Sequence, residues 1–465
     1  MRALFHQVAD DAADFLERLP QRQAGVTASA QELFAALDKQ LLEGPLPPAS
    51  VLRDMVRDID QGLVASAGPR YFGFVIGGAT PASIAADWLT SAWDQNAQVY
   101  ATSPSAAVVE EIVARWLVDL LQLPAGSSVG FVSGCQMANF TALSAARNTV
   151  LSRSGWNLEE NGLFGAPPIV VFGSDQAHST IRNALRMIGI GAAHIQVIPS
   201  DNQGRMRLDA FSEQLRKIND QPVIVSVQAG NVNTGAFEPI DAIADLVSGR
   251  NAWIHVDGAF GLWAAVSPKL RHLLHGFEQA DSWATDAHKW LNVPYDSGIV
   301  FVKHASDHRG LKMTRCAYAG AEMAGKRDGS IWTPENSRRA RAFVLYAAIR
   351  SLGRSGVREM IERCCDLSQQ FAEAAARLPN AHVLNEVVLN QVLLRFEPPN
   401  CPNVDAFHET LASEIQSSGL CWIGTTRWKD RTVLRISISN WSTDTDSVSQ
   451  SVRLIEEIVG RMVRD

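Results

Sequence analysis

The stretch 168-PIVVFGSDQAHSTIRNALRMIGIGAAHIQVIP-199 reads as strand, helix and strand: an apolar run over 168–172, a helical pattern over 178–190, and a second extended run over 194–199. The same unit recurs downstream. Strands are expected at 223-VIVSVQA-229 and 253-WIHVD-257, with helical patterns at 208-LDAFSEQLRKI-218 and 240-IDAIADLVSG-249 between them. Strands joined by crossover helices imply an α/β fold with a mainly parallel central sheet and helices on both faces. In such sheets ligands gather at the carboxyl ends of the strands. Three features fall there: His178 just beyond Phe172, Gly230 and Asn231 just beyond Ala229, and Asp257 at the end of its strand.

Each of these has two readings. A carboxylate that follows apolar strand residues, as Asp257 does, must be met by a cation or by hydrogen-bond donors, or else cap the next turn. His178 is a helix N-cap or core histidine on one reading, and a flat, titratable face for a stacked ring on the other. Farther on, 281-DSWATDAHKWLNVPYDSGIVF-301 sets Lys289 among Trp283, Ala284, Trp290, Leu291 and Val293. Loss of hydration there favours a neutral amine or a Schiff base, whereas a lysine that reaches water keeps its charge.

Upstream, 129-VGFVSGCQMANFTALSAARN-148 reads as an extended segment, a glycine turn at Gly134 and a helix opening near Cys135 to Met137. The free N–H groups of such a helix start suit a phosphate, although the same pattern serves any strand-to-helix turn. The run 104-PSAAVVEEIVARWLVDLLQLP-124 is an amphipathic helix. The aromatic and glycine-rich 68-GPRYFGFVIGGATPAS-83 is either a packing loop or a wall of an apolar pocket. Residues 305–336 lack periodicity and read as a lid or a disordered loop. Helix returns over 337–356, with Arg338, Arg339 and Arg341 unfavourably placed at its start, which suggests an acidic partner or a neighbouring subunit, the alternative being a solvated face. Three parts are expected: a helical arm at 1–66 that packs on a second subunit, a large domain at 67–345, and a small α+β domain at 346–465.

The chain has 465 residues, a formal net charge of −7 and no basic run, which argues against a nucleic-acid partner and for small-molecule chemistry. Six scattered cysteines without metal-type spacing imply reduced thiols and no metal. The first twenty residues look like neither a secretory signal nor a membrane span, so a cytoplasmic protein is expected.

Taken together, the segments YFGF at 71–74, Ser103-Pro104 with Glu110, ANF-x4-SAAR at 138–147, 174-SDQAHSTIRNALRMIGI-190, HVDGAFG at 255–261, ADSWATDAHKWL at 280–291 and SRRAR at 337–341 resemble the group II pyridoxal phosphate decarboxylases. This is the family of the aromatic amino acid, glutamate and histidine decarboxylases. The resemblance implies a fold-type I homodimer, with active sites at the subunit interface, that converts an L-amino acid to its amine with pyridoxal 5'-phosphate. It implies that Lys289 forms the Schiff base, Asp257 contacts the pyridine nitrogen, and His178 stacks over the ring. Gly134, Cys135, Gln136, His288 and Asn231 would complete the cofactor site. Phe74 and Val75 would line an apolar substrate pocket, favouring an aromatic or aliphatic amino acid, and Arg435 would lie near the substrate carboxylate.

Three positions depart from the family pattern. No tyrosine precedes Trp332 in 327-RDGSIW-332, so Tyr318 or His178 supplies the proton to the carbanion, or oxygen intercepts it and an aldehyde results. Val232 replaces a threonine usual near the cofactor. Asp286 stands where asparagine is common, and its carboxylate repels a phosphate unless it is protonated or turned away. Besides the amine-forming decarboxylase, the remaining readings are an aldehyde-forming decarboxylative deaminase, an aminotransferase, and an idle cofactor-binding scaffold, which the intact Lys289, Asp257 and His178 set argues against.

Overall fold

A computed structural model describes residues 1–310 and 325–464. They form two compact units: one of Ala79–Asp366 with Asn385–Gln391, the other of Met1–Gly78, Leu367–Leu384 and Val392–Asp465. The expected boundaries at 66 and 345 do not coincide with these units. Helix Ala342–Ala375 runs across the second boundary. The N-terminal segment is tied to the C-terminal one by backbone hydrogen bonds, from Ala24 N to Gly419 O and from Phe72 N to Trp422 O, both 2.9 Å.

The larger unit is built on seven strands: β1 (Ser128–Val132), β2 (Val170–Ser174), β3 (Ile195–Ile198), β4 (Val223–Gln228), β5 (Ala252–Asp257), β6 (Ser282–Asp286) and β7 (Gly298–Val302). Their order is β1-β7-β6-β5-β4-β2-β3. The pairs β2–β3, β2–β4, β4–β5 and β5–β6 are parallel, while β7 runs antiparallel to both β6 and β1. Reversal of β7 alone leaves β1, β4, β5 and β6 ending at one edge of the sheet. The register sets Gln228 beside Asp257, Asp257 beside Ala284, and Asp286 beside Gly298.

Helix Cys135–Arg153 packs on this sheet through Ala138, Ala142, Ala145 and Ala146, all buried. These small side chains allow close approach, and the tightest point has no side chain at all. A Cβ on Gly298 would lie 2.4 Å from the Gly134 backbone, far inside van der Waals contact, so any larger residue there pushes the helix start away from the strand ends.

The arginines expected to open the 337–356 helix precede it, since the helix begins at Ala342. Arg338 is buried and pairs with Glu110 at 2.5 Å, and Arg327 meets the other oxygen of Glu110 at 3.0 Å. Arg339 pairs with Asp87 at 2.7 Å and Arg341 with Asp296 at 2.9 Å. Thus the cluster serves internal ion pairs rather than an acidic partner. Glu110→Gln leaves two buried guanidinium groups without their shared carboxylate and is expected to cost about 3–5 kcal/mol. Urea unfolding monitored by tryptophan fluorescence measures the loss.

The smaller unit carries the sheet of β8 (Ala381–Val383), β9 (Gln391–Phe396), β10 (Gly424–Trp428) and β11 (Arg431–Ser437), in the order β10-β11-β9-β8. Helices Val404–Ser417 and Thr445–Met462 bury one face each. No helix among the described residues is long and apolar enough to cross a membrane.

Candidate active site

The common strand edge brings together residues far apart in sequence. Asp257 closes β5, Asp286 closes β6, and the short turn after β1 leads through Gly134 into the helix that starts at Cys135. Lys289 follows Asp286 by three residues, and its ammonium lies 3.1 Å from Asp286 Oδ2. The other oxygen of Asp286 accepts a hydrogen bond from Cys135 N at 2.6 Å and lies 3.4 Å from His288 Nε2. Ser297 N donates to His288 Nδ1 at 3.1 Å, which leaves the ring proton on Nε2, facing Asp286. Burial lowers the pKa of His288, so this neutral form persists at physiological pH. The phenol ring of Tyr295 lies against the imidazole, with centroids 4.3 Å apart.

The expectation that apolar surroundings hold Lys289 neutral is reversed. Burial does oppose its charge, but Asp286, with Asp257 adding to it, outweighs the desolvation and raises the lysine pKa above its ordinary value. The sign follows: the pair contributes stability below the unfolded lysine pKa of about 10.4 and loses it as pH rises through the higher folded value. Nor is Asp286 turned away from the helix start, as its repulsion for a phosphate would require. Asp286→Asn removes both the counter-charge on Lys289 and that repulsion. At pH 7 this variant is expected to take up pyridoxal phosphate faster, because a lysine without its counter-charge has more free amine. The growth of cofactor absorbance after mixing reports the rate.

Asp257 is buried and receives three donors: Ala259 N and Asn139 Nδ2, each at 3.3 Å, and Cys135 Sγ at 3.5 Å. Burial among carboxylates, desolvation first, raises the Cys135 thiol well above its usual pKa, so it stays protonated and donates. His178 caps helix Ser179–Met187 and is exposed, with Nδ1 2.9 Å from Thr180 Oγ1. Capping and an exposed ring face coexist, so the two readings of this histidine are compatible. Gln136 donates to Thr180 O at 3.3 Å. Asn231, buried just past β4, accepts from Asn233 N at 2.8 Å and Thr234 N at 3.1 Å, while its Nδ2 has no hydrogen-bond partner among the described residues.

These residues fit pyridoxal phosphate. The helix start supplies first-turn amides, and Gly134 leaves a cradle that a side chain would fill, since a Cβ there would lie 3.3 Å from His288 Cε1. The orphaned amide of Asn231 is a donor in want of an acceptor. Sequence reasoning missed Asn139, Thr180 and His255, although all three lie inside motifs it had singled out. Their neighbours carried the recognisable chemistry, and hydrogen bonds between remote positions leave no local pattern.

In the smaller unit, Phe74, Trp422 and Arg435, with Gly73, Gln416, Gly424 and Thr425, line a cavity of about 240 Å³. The Phe74 and Trp422 ring centroids are 5.2 Å apart, and Tyr71 stacks on the same indole at 5.0 Å. Phe74 is 60% exposed, whereas Val75 beside it is buried. Burial lowers the Arg435 pKa. Tyr318 lies outside the described residues.

Residues 31–397 match the model of the pyridoxal-dependent decarboxylase conserved domain. The aromatic-L-amino-acid decarboxylase of Bacillus atrophaeus is 27% identical over 467 residues, covering 98% of this chain and 95% of that protein. The acidic amino acid decarboxylase GADL1 of Homo sapiens is 28% identical, covering 80% of this chain and 71% of that one. Among solved structures, Oryza sativa TDC with PLP and tryptamine superposes with a TM-score of 0.93 at 23% identity, over 99% of this chain and 98% of that one. Rhodiola rosea 4-hydroxyphenylacetaldehyde synthase does so at 0.87 and 22%, over 98% and 97%. With the family model spanning most of its length and a mainly parallel fold-type I sheet beneath the site, this chain belongs to the pyridoxal-dependent decarboxylases, enzymes that use pyridoxal 5'-phosphate to decarboxylate amino acids.

Proposed function

We propose that this enzyme decarboxylates an L-amino acid with an aromatic or aliphatic side chain to the corresponding amine, with Lys289 as the covalent anchor of the cofactor. The observation that carries the reading is the meeting of Lys289, Asp257 and the Cys135 helix start at one strand edge. Asp257 faces the pyridine nitrogen and His178 covers the ring. The Gln136 amide and His288 hold the phosphate, joined by the Cys135 amide once Asp286 gives up its hydrogen bond to it, and Asn231 completes the site. Bound pyridoxal phosphate supplies a conjugated system that takes up the electron pair left when carbon dioxide departs. Lys289 would hold the cofactor, and Asp286, 3.1 Å from its Nζ, would hold the ammonium in place when the amine is free. Asp257, held by its three donors, would present its carboxylate to the ring nitrogen.

Phe74 and Trp422 offer apolar surface, and Arg435 a cation for a carboxylate. Aromatic-L-amino-acid decarboxylase and TDC among the similar proteins favour an aromatic side chain, while GADL1 points to an acidic one. The enzyme is a cytoplasmic homodimer. Supporting the dimer, helices Arg2–Arg18, Ala30–Leu37 and Pro48–Ile59 bury no residue and leave Phe5, Phe34, Val51 and Met55 exposed. Sedimentation at micromolar concentration tests it, a monomer being the contrary result.

A second reading, oxidative decarboxylation to an aldehyde, is favoured by the missing tyrosine in 327-RDGSIW-332, where Arg327 is instead committed to Glu110. A panel of L-tryptophan, L-tyrosine, L-phenylalanine, L-leucine and L-glutamate separates the readings. Amine equal to carbon dioxide, from the aromatic or aliphatic members, is the expected result. Aldehyde and peroxide in proportion to carbon dioxide would establish the second reading, and turnover of glutamate alone would overturn the assigned substrate class.

A further inference from the structure

Behind Asp257 lies a buried chain of hydrogen bonds whose direction is determined from one end. The indole of Trp253 can only donate, and its Nε1 gives a hydrogen bond to Ser282 Oγ at 2.8 Å. The same hydroxyl meets His255 Nδ1 at 2.9 Å. Because the Asp257 carboxylate only accepts, Asn139 turns its NH2 to it and its Oδ1 to His255, so His255 carries its proton on Nε2, 2.9 Å from Asn139 Oδ1. The amide nitrogen lies 3.3 Å from Asp257 Oδ2 and 3.2 Å from Thr180 Oγ1. Thr180, having accepted from Asn139, has its own proton free for His178 Nδ1 at 2.9 Å. Every donor and acceptor on Asn139 is used, and the two residues it leads to are the ones assigned to the ring nitrogen and the ring face.

We propose that Asn139 is a positioning residue that sets the direction of Asp257 and, through Thr180, of His178, and that His255 holds it in the one amide orientation able to do so. The inference rests on the placement of Asp257 and His178 against the cofactor given above. A reversed amide would point its oxygen at the Asp257 carboxylate and its NH2 at the Nε2–H of His255, two repulsive contacts between buried groups. Burial lowers the His255 pKa to about 4, so the imidazole is neutral across the physiological range and carries a single ring proton. His255 and Asp257 are two residues apart on β5, so both project from the same face of the strand. Asn139, one helical turn beyond Cys135, bridges them from the helix.

The test uses the cofactor-loaded protein without substrate, carrying pyridoxal phosphate labelled with 15N in the ring. In the parent, a ring-nitrogen shift typical of protonated pyridine and a visible dichroic band are expected. Asn139→Leu should move the shift toward neutral pyridine, weaken the band and raise the cofactor dissociation constant about tenfold, the consequence of losing a hydrogen bond of about 1.4 kcal/mol. His255→Gln keeps a donor toward Asn139 and should match the parent, whereas His255→Leu should behave as Asn139→Leu does. This pair decides the matter if Asn139→Leu does not fold. Parent-like values in Asn139→Leu, or equal loss in the glutamine and leucine variants of His255, would overturn the inference while leaving the cofactor reading intact. A parent protein that forms no visible band would overturn both.

Discussion

Replacing Lys289 with alanine is expected to reduce turnover by about a thousandfold or more, the scale seen when a covalent catalytic group is removed from its site. No neighbour can substitute for it. Cys135 is held protonated by burial beside carboxylates, and His288 is committed to Ser297 N and Asp286. The fold should survive, because Asp286 keeps the Cys135 amide and His288 after the ammonium is gone. Far-ultraviolet dichroism and urea unfolding check that point, and release of carbon dioxide from the preferred amino acid measures activity. Substantial residual turnover in a folded variant would contradict the covalent role.

Asp257→Asn has the second-largest expected effect. The amide preserves shape, but its single oxygen accepts either from Ala259 N or from Asn139 Nδ2 and not from both, because these donors reach different oxygens of Asp257. It also lacks the negative charge opposite the ring nitrogen. Breaking a buried charge pair costs about 3–5 kcal/mol, and if that loss is felt in the transition state, kcat falls by about 10²–10⁴. Asp257→Glu, which keeps the charge at a displaced position, should lose less. Steady-state kinetics on the three proteins gives the comparison, and equal loss in the two variants would assign Asp257 to packing rather than to charge.

The contrast between these two carboxylates shows how far the chain could be read in advance. Asp257 was legible because it ends an apolar strand that has to be buried, and a carboxylate there must find partners. The same logic made β2, β3, β4 and β5 visible, since each is an apolar run followed by a helical repeat. β6 was not, because Ser282, Thr285 and Asp286 make it look polar. Its burial is compatible with those residues only through remote partners, Trp253 and His255 for Ser282 and Cys135 for Asp286.

Charge states failed in the same way. The residues flanking Lys289 suggest a dry, neutral amine, and the carboxylate three positions earlier reverses that conclusion once its oxygen lies 3.1 Å from Nζ. Arg338 and Arg339 each pair with a carboxylate more than two hundred positions away in the chain, so a cluster that suggests an external acidic partner is internal in the fold. Local spacing carries the elements, and contact between distant segments carries the electrostatics.

The covalent assignment can be tested without any knowledge of the substrate. Protein loaded with pyridoxal phosphate is reduced with borohydride, digested, and its peptides are mapped by mass. The expected result is a pyridoxyl group on the peptide that contains Lys289, with the visible band bleached in parallel. A modification confined to other lysines, or none in protein that had taken up the cofactor, would contradict the account.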